Sequence, residues 1–125
     1  MRSPAASPPQ ALQEPALTEL MPSSILERAR IAASKRLLYV PHAVRQMSHP
    51  ERMITPSEVE AAVRTRELIE DYPSDPRGHS CLLLGWGEEG RPIHVVCSPK
   101  EDYLAIITAY LPDPDQWAND FKRRR

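Results

Sequence analysis

Residues 80–110 read SCLLLGWGEEGRPIHVVCSPKEDYLAIITAY. Three apolar runs, Cys81 to Trp86, Ile93 to Cys97 and Leu104 to Tyr110, are separated by two polar stretches, Gly87 to Gly90 and Ser98 to Asp102, that carry turn residues. Connections this short force antiparallel neighbours, so the stretch predicts a three-stranded meander. A first turn symmetric about Glu89 sets Leu84 opposite His94, Leu82 opposite Val96 and Cys81 opposite Cys97, and opposed residues share a face of the sheet. His94 then lies among leucines and valines. Apolar residues on both faces predict a sheet covered on one side by helices and lined on the other by a half-buried layer.

Upstream, three helical segments and one strand supply that cover. Ser24 and Glu27 have capping-box spacing, and Ile25, Ala29, Ala32 and Ala33 fall on one face of the helix they open, with Arg28, Arg30, Lys35 and Arg36 elsewhere. Leu37 to Val40 either ends this helix or forms a brief extended segment. Pro41 then sets a boundary, because proline disfavours the helical conformation at Val40 and suits the first position of a new helix, expected over His42 to Met47. The next helix has the clearest start: Thr55 as N-cap, Pro56 next, Glu58 completing the box, then Val59, Ala62 and Val63 inward to about Arg66. Leu68 to Tyr72 reads as a charged edge strand. After the meander, Leu111 to Pro114 breaks the chain and opens a final helix in which Trp117 and Phe121, four apart, share a face. The basic Lys122 to Arg125 reads as a mobile tail.

The pattern predicts an α+β fold: an antiparallel sheet of about four strands, N-terminal helices packed on one face and a short C-terminal helix. A chain of 125 residues with 41% hydrophobic content supports one core, placed in residues 23–125. Residues 1–22 hold five of the fourteen prolines and are expected to be a disordered tail, which limited proteolysis should trim. Formal net charge is −1, and from Pro41 onward eleven Lys/Arg stand against fourteen Asp/Glu. A broad phosphate-binding surface is therefore not expected, although a local basic cluster is compatible with the balance. The start of the chain shows no apolar core of a signal peptide, and no apolar run reaches membrane-spanning length; a cytoplasmic chain with free thiols at Cys81 and Cys97 is expected.

Motifs for phosphate loops, paired-cysteine metal sites, serine elbows and zinc-protease helices are absent from the sequence. The four histidines lack paired ligand spacing, so no metal or other cofactor is expected. A different inventory stands out: His42, Arg45, Arg52, His94, Thr108 and Tyr110. The positive end of a helix dipole at His42 and desolvation at His94 both favour the neutral imidazole that a general base needs. Thr108 and Tyr110 are two apart on one strand and share a face. With an arginine beside them, such residues furnish a base for a ribose 2′-hydroxyl, a cation for the phosphorane and an acid for the leaving oxygen. A register with His94 opposite Thr108 would put His94, Thr108 and Tyr110 on one polar face. Ile93, Val95, Ile107 and Ala109 would then face the helices, and Arg45 or Arg52 would form the cationic edge.

The ordered series HAVRQM at His42 to Met47, ERMIT at Glu51 to Thr55, IEDY ending at Tyr72, CLLLG at Cys81 to Gly85, RPIHVV at Arg91 to Val96 and the close IITAYLPDPDQW at Ile106 to Trp117 resembles the domain-of-unknown-function family numbered four-two-five-eight. His49-Pro50-Glu51 lengthens the connection before Arg52, where members more usually run from methionine to a second arginine followed by glycine. The family is similar to the RelE/ParE-like toxin superfamily. That resemblance implies the toxin half of a bacterial toxin–antitoxin pair, a metal-independent ribonuclease acting on mRNA, and a small zinc-finger antitoxin of the YgiT type as partner. The alternative it leaves is a catalytically inert domain of the same fold that binds a partner protein through its open sheet face.

Overall fold

The structure, a computed structural model, describes residues 24–125; the expected tail falls outside them. Helix α1 (Ile25–Lys35) begins where the Ser24 hydroxyl accepts the Glu27 N–H at 3.1 Å, and Ile25, Ala29 and Ala32 form its buried stripe. Arg36 leaves the helix in an extended conformation and leads into β1 (Leu37–Tyr39). Pro41 opens α2 (Pro41–Met47), which buries Ala43 and Met47. Thr55 and Glu58 form the reciprocal capping box of α3 (Pro56–Arg64), which ends slightly before the expected Arg66. Four further strands follow: β2 (Glu67–Tyr72), β3 (Ser80–Trp86), β4 (Pro92–Pro99) and β5 (Leu104–Tyr110).

The sheet has the order β1-β5-β4-β3-β2. The first hairpin of its central meander keeps the expected register, with Leu84 opposite His94, Leu82 opposite Val96 and Cys81 opposite Cys97. The two cysteine sulfurs lie 4.0 Å apart as free thiols. Glu89 (φ 57°) and Gly90 (φ 73°) adopt the left-handed conformation that closes the first turn. In the second hairpin His94 pairs with Tyr110, and Thr108 pairs with Val96, because a bulge follows Val96 and returns the ladder with Cys97 opposite Ile106. The bulge leaves Ile107 as the extra residue, so Ile106 rather than Ile107 joins Ile93, Val95 and Ala109 in the helix-side core.

Two other expectations are corrected. Among the described residues the sheet has five strands rather than about four: Leu37–Tyr39 pairs parallel to β5, a partnership that only the fold can supply. No helix forms after Tyr110. Pro112 and Pro114 lack backbone donors, and the Asp113 and Asp120 carboxylates accept the N–H groups of Asp115 (2.9 Å) and Lys122 (3.0 Å), offering the backbone turns in place of helix. Residues 111–125 instead fold back as a strap, held by an antiparallel bridge between Trp117 and Arg124.

One carboxylate fastens the helix layer to the first hairpin. Glu58, 2% exposed, accepts from Arg91 Nη2 at 2.6 Å and Nε at 3.1 Å and from the Glu88 N–H at 3.0 Å. Arg91 also donates to the carbonyls of Arg52 (3.2 Å) and Met53 (3.4 Å). Glu58→Ala removes the capping box and leaves the Glu88 N–H and the guanidinium without their acceptor. Breaking such a pair costs about 3–5 kcal/mol when fully buried; Arg91 is one-third exposed, so the lower end, about 3 kcal/mol, is expected. A urea midpoint that falls with unchanged slope would show it.

Candidate functional site: the polar face of the sheet

The helices cover one face of the sheet, where α1, α2 and α3 meet Cys81, Leu83, Ile93, Val95, Cys97, Ile106 and Ala109. Strand alternation sends Leu82, Leu84, His94, Thr108 and Tyr110 to the other face. On β2 the register sets Glu67 opposite Leu84, Glu70 opposite Leu82 and Tyr72 opposite Ser80, which places Glu67, Glu70 and Tyr72 there too. The shared face expected for His94, Thr108 and Tyr110 is therefore present.

His94 is its centre, and it is fully buried. The Phe121 carbonyl lies 2.8 Å from Nε2, and the Tyr110 hydroxyl 3.3 Å from Nδ1. A carbonyl can only accept, so Nε2 carries the proton and Nδ1 accepts from the phenol. The Trp117 ring stands edge-on to the imidazole at 4.5 Å and 89°, and the Tyr110 ring at 5.3 Å and 71°. Phe121 has φ 61°, uncommon for a bulky residue, and its carbonyl is the one His94 engages. Burial pushes the His94 pKa down, against the opposing pull of the Phe121 carbonyl, and it raises that of Tyr110.

The strap that caps His94 is tied to β2. Arg124 donates to Glu70 through Nε at 2.8 Å and Nη2 at 3.0 Å, a forked pair. Its guanidinium lies 4.6 Å from the centre of the Trp117 ring. Tyr72 also donates its hydroxyl to Glu70, and Lys122 pairs with Glu67 at 2.9 Å. Arg124 holds the Glu70 carboxyl below its ordinary range; burial pushes Tyr72 up to about 12. The basic C-terminus, expected to be free, thus closes the polar face.

The remaining expected site residues lie apart from His94. His42 and Arg45 are exposed on α2, whose Ala43 and Met47 pack into the helix-side core. Arg52 donates to Gln46 in the connection after α2. The cations beside the polar face are Arg124 and Lys122, so neither Arg45 nor Arg52 forms its edge. Trp117, Phe121, Arg124, Glu70 and Tyr72 went unrecognised in the sequence; the available signal was the match between Glu67 and Glu70 on β2 and the cations Lys122 and Arg124. Among the described residues no group of three or more His, Cys, Asp or Glu is placed to hold a metal, and no helix is long and apolar enough to cross a membrane.

The geometry makes acid loosen the strap. With its folded pKa below the unfolded value, neutral His94 contributes stability that is complete above about pH 6.5 and is lost as pH falls through the depressed folded pKa. Glu70 follows the carboxylate case: its contribution is present above about pH 4.5 and fades at lower pH as its folded pKa is crossed. Hydrogen exchange of residues 112–125 should speed up relative to β4 between pH 7.5 and 5. Unchanged relative protection would show that His94 does not hold the strap.

No curated protein matches this chain, and no solved structure does. The model of one family, Domain of unknown function (DUF4258), matches residues 39–111, from the end of β1 through β5 and so over more than half of the chain, and the chain belongs to that family.

Proposed function

We propose that this protein is a RelE-like interaction domain, a component of a toxin–antitoxin pair that acts by binding a partner protein and has no catalytic centre at His94. One observation carries the reading. His94 is fully buried and has both ring nitrogens engaged within the chain, whereas a general base must come within hydrogen-bond reach of its substrate. The RelE-like assignment is supported by three helices on one face of a small, largely antiparallel sheet. Because the strap covers His94, the centre of the face expected to bind, the partner is assigned to another surface. Induced expression should leave growth and RNA intact, and co-expression with a small zinc-finger protein of the YgiT type should give a complex that survives His42→Ala and Tyr110→Phe. Growth arrest abolished by either substitution in a folded chain would overturn the reading.

A metal-independent ribonuclease of the toxin type is the second reading, favoured by one observation. His42 and Arg45 are three apart on α2 and both exposed, so a base and a cation share one side of a helix. If this pair acts on RNA, His42→Ala should lower cleavage of single-stranded RNA in chelator by about 10²-fold or more. Cleavage equal to that of the wild type would remove it.

A further inference from the structure

Among the described residues β1 is the outermost strand on its side and pairs only with β5. The Arg36 carbonyl accepts the Leu104 N–H at 2.8 Å, and the Val40 N–H donates to the Ile106 carbonyl at 3.1 Å. Backbone groups alternate along a strand, so Leu38 also turns toward β5, and the N–H and C=O groups of Leu37 and Tyr39 point away from the sheet. An edge of this kind is a template for another strand.

A groove of about 600 Å³ runs along this edge, walled by residues of α1 and α3 and by Leu37 and Tyr39. Five of its lining residues are cations and one, Glu60, is a carboxylate. Arg30 is paired with Glu27, and Lys35 donates to the Glu101 carbonyl at 2.8 Å. Arg36 and Arg64 are exposed. Arg66 donates from Nη1 to the Val63 carbonyl at 2.9 Å, while its Nε finds no acceptor among the described residues. Past Tyr39 the groove meets a second hollow of about 170 Å³ lined by Val44, Met47, Ile54 and Pro56, with Val44 49% exposed. Cationic walls, strand groups with no partner among the described residues and an apolar hollow thus follow one another along one edge.

We infer that this groove takes an acidic, extended segment of a partner protein, which adds beside β1 as a sixth strand. Its backbone bonds to Leu37 and Tyr39, its carboxylates meet Arg36 and Arg64, and an apolar side chain enters the Val44–Met47–Ile54 hollow. The inference rests on the binding-domain reading and gives the partner its chemistry. A nucleic-acid backbone would use the cations but neither the strand groups nor the apolar hollow, whereas an acidic β-strand uses all three.

The test uses the full chain, labelled for NMR, and a peptide of about ten residues alternating glutamate and valine. The amide signals of Leu37 and Tyr39 should shift and gain protection from exchange. Affinity should fall by about tenfold or more in Arg36→Glu/Arg64→Glu, where like charges replace opposite ones, and should weaken between about 0.05 and 0.5 M salt. Both arginines are exposed, so the variant should keep the wild-type signals of His94 and Trp117. Equal binding of a lysine–valine peptide, binding that leaves Leu37 and Tyr39 unmoved or is indifferent to the charge reversal, or no binding at all would overturn the inference. So would binding of oligouridine in place of the peptide, which would make the groove a nucleic-acid site. The growth assay separates the two levels: a chain that is non-toxic and forms its complex, yet fails the peptide test, keeps the binding reading and loses this surface.

Discussion

Gly85→Ala is expected to abolish the native state. Gly85 sits on β3 directly under α3, and a Cβ at this position would lie 2.0 Å from the Ala62 carbonyl oxygen and 2.5 Å from its Cα. These are backbone atoms of a capped helix, so no side-chain rotation can relieve the overlap; the helix would have to lift from the sheet. Lifting it would separate Val59, Ala62 and Val63 from the core they share with Leu83 and Ile93 and strain the Glu58–Arg91 contact. Ordinary overpacking costs about 1–3 kcal/mol; an overlap with backbone on both sides should exceed that range, against a total stability of about 5–15 kcal/mol for a small domain. Loss of cooperative thermal unfolding would show it. A Gly85→Ala chain melting within a few degrees of wild type would mean that α3 does not approach β3 so closely.

The second large effect is expected at Trp117. Only 2% exposed, it meets His94 edge-on and carries the Arg124 guanidinium against its ring. Trp117→Ala should cost about 3–5 kcal/mol, the usual range for deleting a buried aromatic, and should free residues 111–125 from the sheet. The same substitution should move the His94 pKa up toward its ordinary value, since burial is the main cause of its depression. NMR titration of the imidazole reads that shift independently of the stability loss. A destabilised variant whose His94 stays depressed would show that the tryptophan is ordinary core and not the lid of the polar face.

The sequence made the first hairpin legible to the residue because strand pairing across a short turn is arithmetic: once the turn centres on Glu89, Leu84–His94 and Cys81–Cys97 follow, and the structure has both. The caps at Ser24 and Thr55 were legible for a similar reason, since the partner of each is three residues away. What stayed hidden was non-local. Leu37–Tyr39 is too short to show a period, and its parallel partner lies beyond the whole meander. The spacing of Trp117 and Phe121 fits a helix, but aspartates bonding to their own backbone and the tie of Arg124 to Glu70 decide otherwise. The observed partner of His94, Tyr110, is two residues from the expected Thr108 and so keeps the face; the turn-side register, with Pro99 opposite Leu104, would by itself carry His94 to Ala109, and the bulge after Val96 supplies the one-residue step that restores the polar face.

The candidate site was legible in part. The expected even register put His94, Thr108 and Tyr110 together, and in the structure the bulge after Val96 restores that register. His42, Arg45 and Arg52 had no such constraint, and the packing of Ala43 and Met47 into the helix-side core holds their segment in the other layer. The cations that do reach the polar face come from the last turn of the chain, where a run of basic residues looks the same whether it is solvated or strapped down.

That His94 is sealed beneath the strap, on which the binding reading rests, is tested most directly by nitrogen-resolved NMR of its ring. The account predicts a neutral imidazole at pH 7 with the proton on Nε2 and slow to exchange, an accepting Nδ1, and titration only below the ordinary histidine range. An Nε2 proton that exchanges freely, with titration near pH 6.5, would contradict it and return His94 to the set of groups open to a substrate.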